Sequence, residues 1–242
     1  MMWLPNTAEN ILLQLAASTV GLTVVTTKDA GHMAGLEEMN CKGIVTSLDN
    51  HLSSGKAAPS TAIVPPIVTG TETVAGNFLR FAELLSPCDR SLTAASESCS
   101  GLYCYGSARA VPEEALLAAA CSASNALQLC PADRVCVPIT MNHTFGFGSG
   151  ALAAFSCGAS LVLPSATPCA DATLRALRDG CTVLYADAHT LRALLEENVH
   201  SHEVPALRGG LCKIGSGEAI GLGEPREFAG CSLATIGKPA SK

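Results

Sequence analysis

The chain has 242 residues, of which 48% are hydrophobic and only 15% are charged, and its mean hydropathy is +0.32. This length allows one large domain or two small ones, with a sizeable core in either case. The net charge is −6, with 21 acidic and 15 basic residues and no basic cluster, which argues against a nucleic-acid-binding protein.

The first third of the chain predicts a helix, a strand and a long connection. The helix begins near Ala8, with Thr7 as a candidate N-cap, and ends at Gly21, where a left-handed backbone would stop it. The β-branched run Leu22–Thr26 predicts a strand. The segment Ser53–Gly76 is rich in Pro, Gly, Ser and Thr and predicts a connection with at most one short strand.

The rest of the chain predicts alternating helices and strands. A short amphipathic helix is expected at Asn77–Leu85, and a longer helical pattern opens at Pro112. The elements expected after it are a strand at Val135–Ile139, a glycine-rich turn and a helix, a strand at Ser160–Leu163, a helix at Asp171–Asp179 closed by Gly180, a strand at Cys181–Tyr185 and a capped helix at Asp187–Asn198. This alternation predicts an α/β fold with mostly parallel sheets covered by helices.

The segment Val135–Ala170 contains no Asp, Glu, Lys or Arg and is long enough to span a bilayer. Its prolines and glycines, however, fit buried strands, turns and a helix better than one spanning helix. We therefore expect no transmembrane span. The N-terminal sequence MMWLPN has no basic region before an apolar run, so neither a signal peptide nor a transit sequence is visible.

Twelve cysteines raise the question of disulfides or zinc. No CxxC pair occurs. The most closely spaced cysteines are Cys99 with Cys104 and Cys130 with Cys136, and no histidine stands at ligand spacing beside them. Cysteine shares apolar positions with alanine at Cys121, Cys157 and Cys181. We therefore expect reduced thiols in the core and an intracellular, reducing compartment.

The stretch LYCYGSARAVP, from Leu102 to Pro112, has the setting of a phosphate-binding loop, because apolar residues lead into a Gly-Ser turn and a helical pattern follows. Such a loop needs small residues that let backbone N–H groups face the anion, and usually a lysine. Here the turn consists of Gly106 and Ser107, and Arg109 is the only cation. The composition of this segment indicates a site that no longer binds phosphate.

Further segments of the chain resemble, in order, the large N-terminal domain of the adenylate-forming acyl-CoA synthetases, with the medium-chain synthetases the most similar. They are Trp3–Thr27, Glu37–Thr46, Pro138–Ala154, Gly158–Leu163 with Ala172–Leu195, Ala206–Gly217 and Ala234–Pro239. The segment PITMNHTFGFGSGALAA resembles the family's "PLFHSFG" region, and ATIGKP resembles its "GTVGKP". The match covers most of the chain, with a gap at roughly Asp49–Ser86.

The resemblance implies a two-step reaction in which ATP and a carboxylate give an acyl-adenylate and a thiol then takes the acyl group. It also implies a Thr/Ser/Gly-rich loop ending in Pro-Lys-Gly, a Tyr-Gly-x-Thr-Glu metal motif, a ribose-binding Asp and a C-terminal lysine domain. In this sequence Val111-Pro112-Glu113 stands where Pro-Lys-Gly is expected, and the last tyrosine is Tyr185, so the metal motif cannot follow. The chain ends at Lys242, before the ribose Asp and the C-terminal domain. We therefore expect no catalytic residues, no cofactor and no metal, and Gly106 and Ser107 are interpreted as a vestigial nucleotide loop.

The resemblance also implies a vestigial acyl pocket at His143, Phe145, Gly146 and Tyr185. The alternative for His143 is a core histidine hydrogen bonded to neighbouring backbone. Gly146, Gly148 and Gly150 do not fit the GxGxxG spacing and are expected to allow a turn and close helix packing. His189 lies in the same pocket-lining stretch as Tyr185, and a structural role is favoured for both.

Two weaker site hypotheses remain open. Ser107 as a nucleophile lacks the GxSxG context and an obvious base. His200 and His202 flank Ser201 in a loop where a metal role is conceivable but not favoured.

The sequence therefore predicts a single degenerate AMP-binding-like domain over 1–242, with a first α/β segment at 1–48, a connecting segment at 49–100 and a second α/β segment at 101–242. Two functions compete: a catalytically inactive structural or accessory subunit of a larger assembly, or a residual acyl or acyl-CoA binder or part of a split ligase. We expect the former, with other protein subunits as partners, the mitochondrion as location and a respiratory assembly as one candidate host.

Overall fold

A computed structural model describes residues 1–27, 41–50, 66–70, 78–85, 101–105, 110–221 and 223–238. The chain divides into two compact units, Met1–Glu113 and Glu114–Lys242, which we call unit 1 and unit 2. The prediction of a single domain over 1–242, with a boundary near residue 101, stays a prediction.

Unit 1 contains a sheet of seven described strands in the order β5-β4-β3-β1-β2-β6-β7. The strands are β1 Met2–Trp3, β2 Thr23–Thr26, β3 Val45–Ser47, β4 Ile67–Thr69, β5 Leu79–Arg80, β6 Leu102–Tyr105 and β7 Val111–Pro112. All pair in parallel except β7, which runs antiparallel to β6. Two helices lie wholly within the described residues of this unit, α1 Ala8–Thr19 and α2 Phe81–Leu84.

The first helix and strand are confirmed, while two details of unit 1 differ from expectation. Gly21 adopts φ +70°, the left-handed geometry that ends α1, but the Thr7 side chain makes no capping hydrogen bond. The helix expected at Asn77–Leu85 is only one turn, because the extended pair Leu79–Arg80 joins the sheet beside β4.

Unit 2 is built on a second mostly parallel sheet, of order β12-β14-β11-β10-β8-β9, with β13 on β14. Its strands are β8 Arg134–Cys136, β9 Ser160–Val162, β10 Val183–Asp187, β11 Gly209–Lys213, β12 Ser216–Ile220, β13 Arg226–Phe228 and β14 Cys231–Lys238. Its helices are α3 Glu113–Leu127, which begins at the last residue of unit 1, a π-helix at Phe145–Leu152, α4 Ala153–Ser156, α5 Ala170–Arg178, α6 Ala188–Glu196 and a 3₁₀ turn at Ser201–Glu203.

The main core of unit 2 lies between its sheet and the helices α5 and α6. The buried leucines of these helices pack on side chains from one face of the sheet; they are Leu174, Leu177, Leu191 and Leu194 against Cys136, Leu184, Ala186, Cys212 and Leu233. Both helices were expected from the residues that begin or end them. Asp187 caps α6 by accepting a hydrogen bond from the Thr190 backbone N–H at 2.7 Å, as predicted.

The glycine-rich segment after β8 is helical, which corrects the prediction of a turn there. Gly146, Gly148 and Gly150 lie inside the π-helix and are buried. A Cβ at Gly148 would lie 3.0 Å from the Leu116 side chain, and one at Gly150 would lie 3.3 Å from Val137. The glycines therefore allow this helix to pack closely on its neighbours, as the sequence predicted.

Among the described helices, none combines the length and apolar character that a bilayer crossing requires. The charge-free segment Val135–Ala170 is divided among β8, the π-helix, α4 and β9.

Candidate functional site

The candidate site lies at the carboxyl ends of β10 and β11 in unit 2, where parallel α/β sheets commonly bind ligands. Strand β11 ends at Lys213, which pairs with Asp187 at the end of β10. His143 stands two residues before the π-helix, and its ring meets the Lys213 side chain. The site therefore combines the predicted His143 with a lysine that the sequence analysis did not identify.

His143 is held by its own backbone on one side and faces Lys213 on the other. The Phe145 backbone N–H donates to His143 Nδ1 at 3.0 Å, and Lys213 Nζ lies 3.1 Å from His143 Nε2. A neutral imidazole has one acceptor nitrogen, and Phe145 uses it. The ammonium of Lys213 is also a donor, so it competes with the Phe145 N–H for the single acceptor nitrogen of the ring. The ring of His143 therefore lies between a neighbouring backbone donor and the Lys213 side chain.

Phe145 and Tyr185 form the apolar wall of the site. Their ring centroids are 5.8 Å apart at an interplanar angle of 44°, and both side chains are buried. Tilted pairs at this distance are a favourable arrangement of aromatic rings. The structure therefore brings together His143, Phe145 and Tyr185, three of the four residues assigned to the vestigial acyl pocket.

The fourth residue, Gly146, shapes the backbone of the site. A Cβ at Gly146 would collide with the carbonyl oxygen of Thr140, so no side chain fits there without moving the backbone. This close approach fixes the turn that presents His143 ahead of the π-helix.

The hydroxyl of Tyr185 is buried and has no hydrogen-bond partner among the described residues. Burial raises the pKa of this phenol well above its usual range, and the nearby Cys157 adds to the effect. Cys157 itself is hydrogen bonded to Ser124, with Oγ and Sγ 2.6 Å apart. The Tyr185 side chain therefore acts as an apolar body in the wall rather than as an acid or base.

The second candidate, the nucleotide loop, lies partly outside the described residues. Gly106, Ser107 and Arg109 are among the residues not described, so their assignment as a vestigial loop stays a prediction. The flanking strands β6 and β7 pair as a hairpin, with Leu102 opposite Pro112 and Tyr103 opposite Val111. The Tyr103 and Tyr105 rings of β6 stack with centroids 6.4 Å apart.

Glu113 follows this hairpin, and its carboxylate is engaged within unit 1. One oxygen accepts a hydrogen bond from Ser18 Oγ at 2.8 Å, and the other accepts one from the Gly101 backbone N–H at 3.4 Å. The first residue of α3 thus carries a fixed negative charge. Helix N-termini are where backbone N–H groups would otherwise bind a phosphate.

Other predicted candidates lie apart from this site. His189 is exposed on α6. The His200 and His202 rings stack at 5.6 Å, but no group of three His, Cys, Asp or Glu side chains in the described part of the chain is placed to hold a metal. Cys181 is buried as expected, Cys157 is half-buried, and Cys121 is exposed because its side of α3 does not face the core.

Comparisons with known proteins find similarity in structure only. No protein-family model and no curated protein matches the sequence. A benzoate CoA ligase from Burkholderia xenovorans superimposes with a TM-score of 0.75 at 20% identity, covering 97% of this chain and 48% of the ligase. The N-terminal domain of FACL13 from Mycobacterium tuberculosis gives 0.69 at 13% identity, with 97% and 60% covered. The O-succinylbenzoate coenzyme A synthetase of Bacillus subtilis gives 0.66 at 16% identity, with 94% and 44% covered.

The chain spans about half the length of these solved structures. At such low identity the likeness defines the fold and leaves activity to be tested. The chain therefore has the α/β fold of the N-terminal part of the adenylate-forming acyl- and aryl-CoA ligases, as the order of its sequence segments predicted.

Proposed function

We propose that this chain is a catalytically inactive protein of the acyl-CoA ligase fold that serves as a structural or accessory subunit of a larger assembly. The observation that carries the proposal is the carboxylate of Glu113 at the start of α3. A phosphate bound at the N-terminus of α3 would meet this negative charge, where a ligase needs a positive one.

The sequence around the hairpin offers little to offset that charge. Arg109 is the only Lys or Arg between Leu102 and Leu129, whereas Glu114 adds a second carboxylate next to Glu113. Two adjacent carboxylates stabilise a helix N-terminus and repel a phosphate at the same place. This arrangement supports the loss of adenylation.

The surface supports a role within an assembly. Leu84 and Leu85 are 51% and 61% exposed at the end of α2, and Phe155 of unit 2 is 44% exposed. The charged fraction of the sequence, 15%, is low compared with the average of about 25% in soluble proteins. Burial of these side chains against partner subunits would remove apolar surface from water.

We propose a mitochondrial location for this assembly, with a respiratory complex as one host. The support is the resemblance to medium-chain synthetases described from the sequence. Tagging the endogenous protein, fractionating the cells and sizing the native material tests location and assembly together. A subunit migrates with a complex far above its own 24.7 kDa, whereas a free monomer at that mass contradicts the accessory role.

A second function is supported by the His143–Lys213 pair beside the Phe145–Tyr185 wall. A histidine–lysine contact next to two buried aromatic rings combines the polar and apolar groups that an acyl group or an acyl-CoA would need, without any ATP chemistry. Calorimetric titration with hexanoyl-CoA, comparing wild type with Lys213→Gln, tests it. Saturable binding that weakens in the variant supports residual acyl binding, and no heat in either protein contradicts it.

A further inference from the structure

Unit 2 has a second group of polar side chains, at the edge of its sheet where β14 begins. A cleft of about 510 Å³ lies there between the 3₁₀ turn and the hairpin that joins β13 to β14. Its walls include Val199, His200, Ser201, His202, Ala229 and Gly230. The candidate site described above lies where β10 and β11 end, at the opposite edge, because β11 and β14 run in parallel. The two sites are therefore separate.

The hairpin brings its backbone close to the side chains of the 3₁₀ turn. Phe228 pairs with Cys231 across the hairpin. The turn between them consists of Ala229 and Gly230, whose φ angles of +49° and +76° are those of a type I′ turn. A Cβ at Gly230 would lie 3.7 Å from the Cβ of Ser201, which places the turn in contact with that side of the cleft. Successive backbone N–H groups in a turn form concavities that bind anions.

The rings of His200 and His202 stack in this cleft, with centroids 5.6 Å apart and an interplanar angle of 11°. The His200 side chain accepts a hydrogen bond from the Glu203 backbone N–H. A neutral imidazole has one acceptor nitrogen, so the other nitrogen of His200 carries the proton and can donate. Both side chains are exposed, which lets a group from solution reach their N–H donors.

The Glu203 carboxylate next to the rings is engaged by other donors. Arg178 Nη2 donates to its Oε2 at 2.7 Å, and the His200 backbone N–H donates to its Oε1 at 3.0 Å. The guanidinium of Arg178 also balances its negative charge. The carboxylate therefore leaves the ring N–H donors to a second acceptor.

The stacking of the rings favours an anion over a metal ion. The lone pair of an imidazole nitrogen lies in the plane of its ring, so stacked rings direct their lone pairs along separate planes instead of at one ion. Two N–H groups in separate planes can donate to two different oxygens of one anion. A tetrahedral oxyanion offers several such oxygens, and the Ser201 hydroxyl is a further donor beside them.

We propose that this cleft binds a phosphate group, with the rings of His200 and His202 donating to two of its oxygens and the Ser201 hydroxyl donating to a third. The backbone N–H groups of Ala229 and Gly230 close the opposite side. Binding is non-covalent, and it does not depend on the function proposed for the chain.

Nuclear magnetic resonance of the histidine rings in the full chain tests the choice of ligand. Inorganic phosphate shifts the ring signals of two of the six histidines along a saturable curve, with a Kd of about 1 mM at about pH 6.5. Sodium chloride at the same ionic strength leaves these signals in place. Saturation by chloride as well, or saturation by Zn²⁺ and not by phosphate, overturns the proposal.

A parallel titration with glycerol 3-phosphate distinguishes two sources of the phosphate group. Equal affinity for the two compounds assigns the cleft to free phosphate, and tighter binding of the monoester assigns it to a phosphorylated molecule. Failure of both compounds to saturate the ring signals overturns the proposal.

A matched pair of substitutions tests the place of binding. His202→Gln removes one ring of the cleft, and His189→Gln makes the same change at an exposed position of α6 outside it. Phosphate affinity falls about fivefold in the first variant, through the loss of one hydrogen bond, and stays within twofold of wild type in the second. Unchanged affinity in His202→Gln, or an equal loss in both variants, overturns this location. Ser201→Ala weakens binding about threefold and keeps the test decisive if His202→Gln does not fold.

Discussion

At the scale of single residues, Asp133 connects four parts of unit 2. Its carboxylate accepts hydrogen bonds from Arg208 at 2.6 and 2.8 Å, from Thr182 Oγ1 at 2.7 Å and from the Cys130 backbone N–H at 2.9 Å. Arg208 in turn donates to the Leu127 carbonyl at 3.0 Å. The guanidinium beside it holds the pKa of Asp133 well below its usual range, since every contact favours the charged carboxylate.

We expect Asp133→Asn to lower the free energy of unfolding by about 2 kcal/mol at pH 7, because the buried amide cannot accept both guanidinium contacts. The native pKa is depressed, so this contribution is complete above the unfolded pKa of about 3.9, begins to decrease below it and is lost only as the pH falls through the depressed native pKa. Urea denaturation at pH 7 and pH 3 measures both effects.

The matched control is Glu203→Gln, which removes the exposed ion pair with Arg178 at 2.7 Å. Solvent screens that pair, so its loss has much less effect. A difference between wild type and Asp133→Asn that grows at acid pH would contradict the account.

The Tyr185 hydroxyl differs from the Asp133 carboxylate, because it is buried without a hydrogen bond and is expected to contribute nothing to the free energy of unfolding. We expect Tyr185→Phe to leave the free energy of unfolding unchanged or to raise it by up to about 1 kcal/mol, because no hydrogen bond is lost. In Tyr103→Phe, by contrast, the hydrogen bond to Ser18 is removed and about 1 kcal/mol is lost. Equal losses in the two variants would show that the Tyr185 hydroxyl has a partner.

At the scale of elements, the π-helix depends on the missing side chain of Gly146. We expect Gly146→Ala to destabilise the chain by at least about 2 kcal/mol, because the new methyl group meets the Thr140 carbonyl, which belongs to the backbone and cannot rotate away. Gly150→Ala is the comparison, since its methyl meets the Val137 side chain at 3.3 Å.

In Gly150→Ala the helix propensity of alanine offsets that mild crowding, so we expect a change within about 1 kcal/mol. Chemical denaturation of both variants measures the difference. Similar stabilities for the two would mean that the backbone at Gly146 is free to move.

Helices with a capping or stop residue in their own sequence could be predicted. Strands whose position depends on pairing with a distant strand could not. Helix α6 has its Asp187 cap, and the end of α5 has Gly180 at φ +93°, so both were found from a few residues. The strands β11 to β14 have no such signal, because three of them are positioned by β14, the last strand. Their register is a long-range property.

The same distinction holds for the candidate site. His143, Phe145, Gly146 and Tyr185 were identified through resemblance, and the structure brings them together. Lys213 was missed because it is 70 residues from His143 and meets it only through the pairing of β10 with β11.

At the scale of the whole molecule, the chain has the fold of the N-terminal part of the acyl-CoA ligases, and we propose that it has lost the binding of a triphosphate. The sheets, their mostly parallel pairing and the helix order match solved ligases over nearly the whole chain. Stability of a fold and the chemistry of a site depend on different residues, so one can persist without the other.

Titration of the intact chain with Mg·ATP in a calorimeter tests this central claim most directly. We predict no saturable heat up to millimolar nucleotide, because Glu113 places a carboxylate at the start of α3 and no lysine occurs between Leu102 and Leu129. Saturable, Mg²⁺-dependent binding with a micromolar Kd would contradict the account and indicate that the chain still binds ATP as an active ligase does.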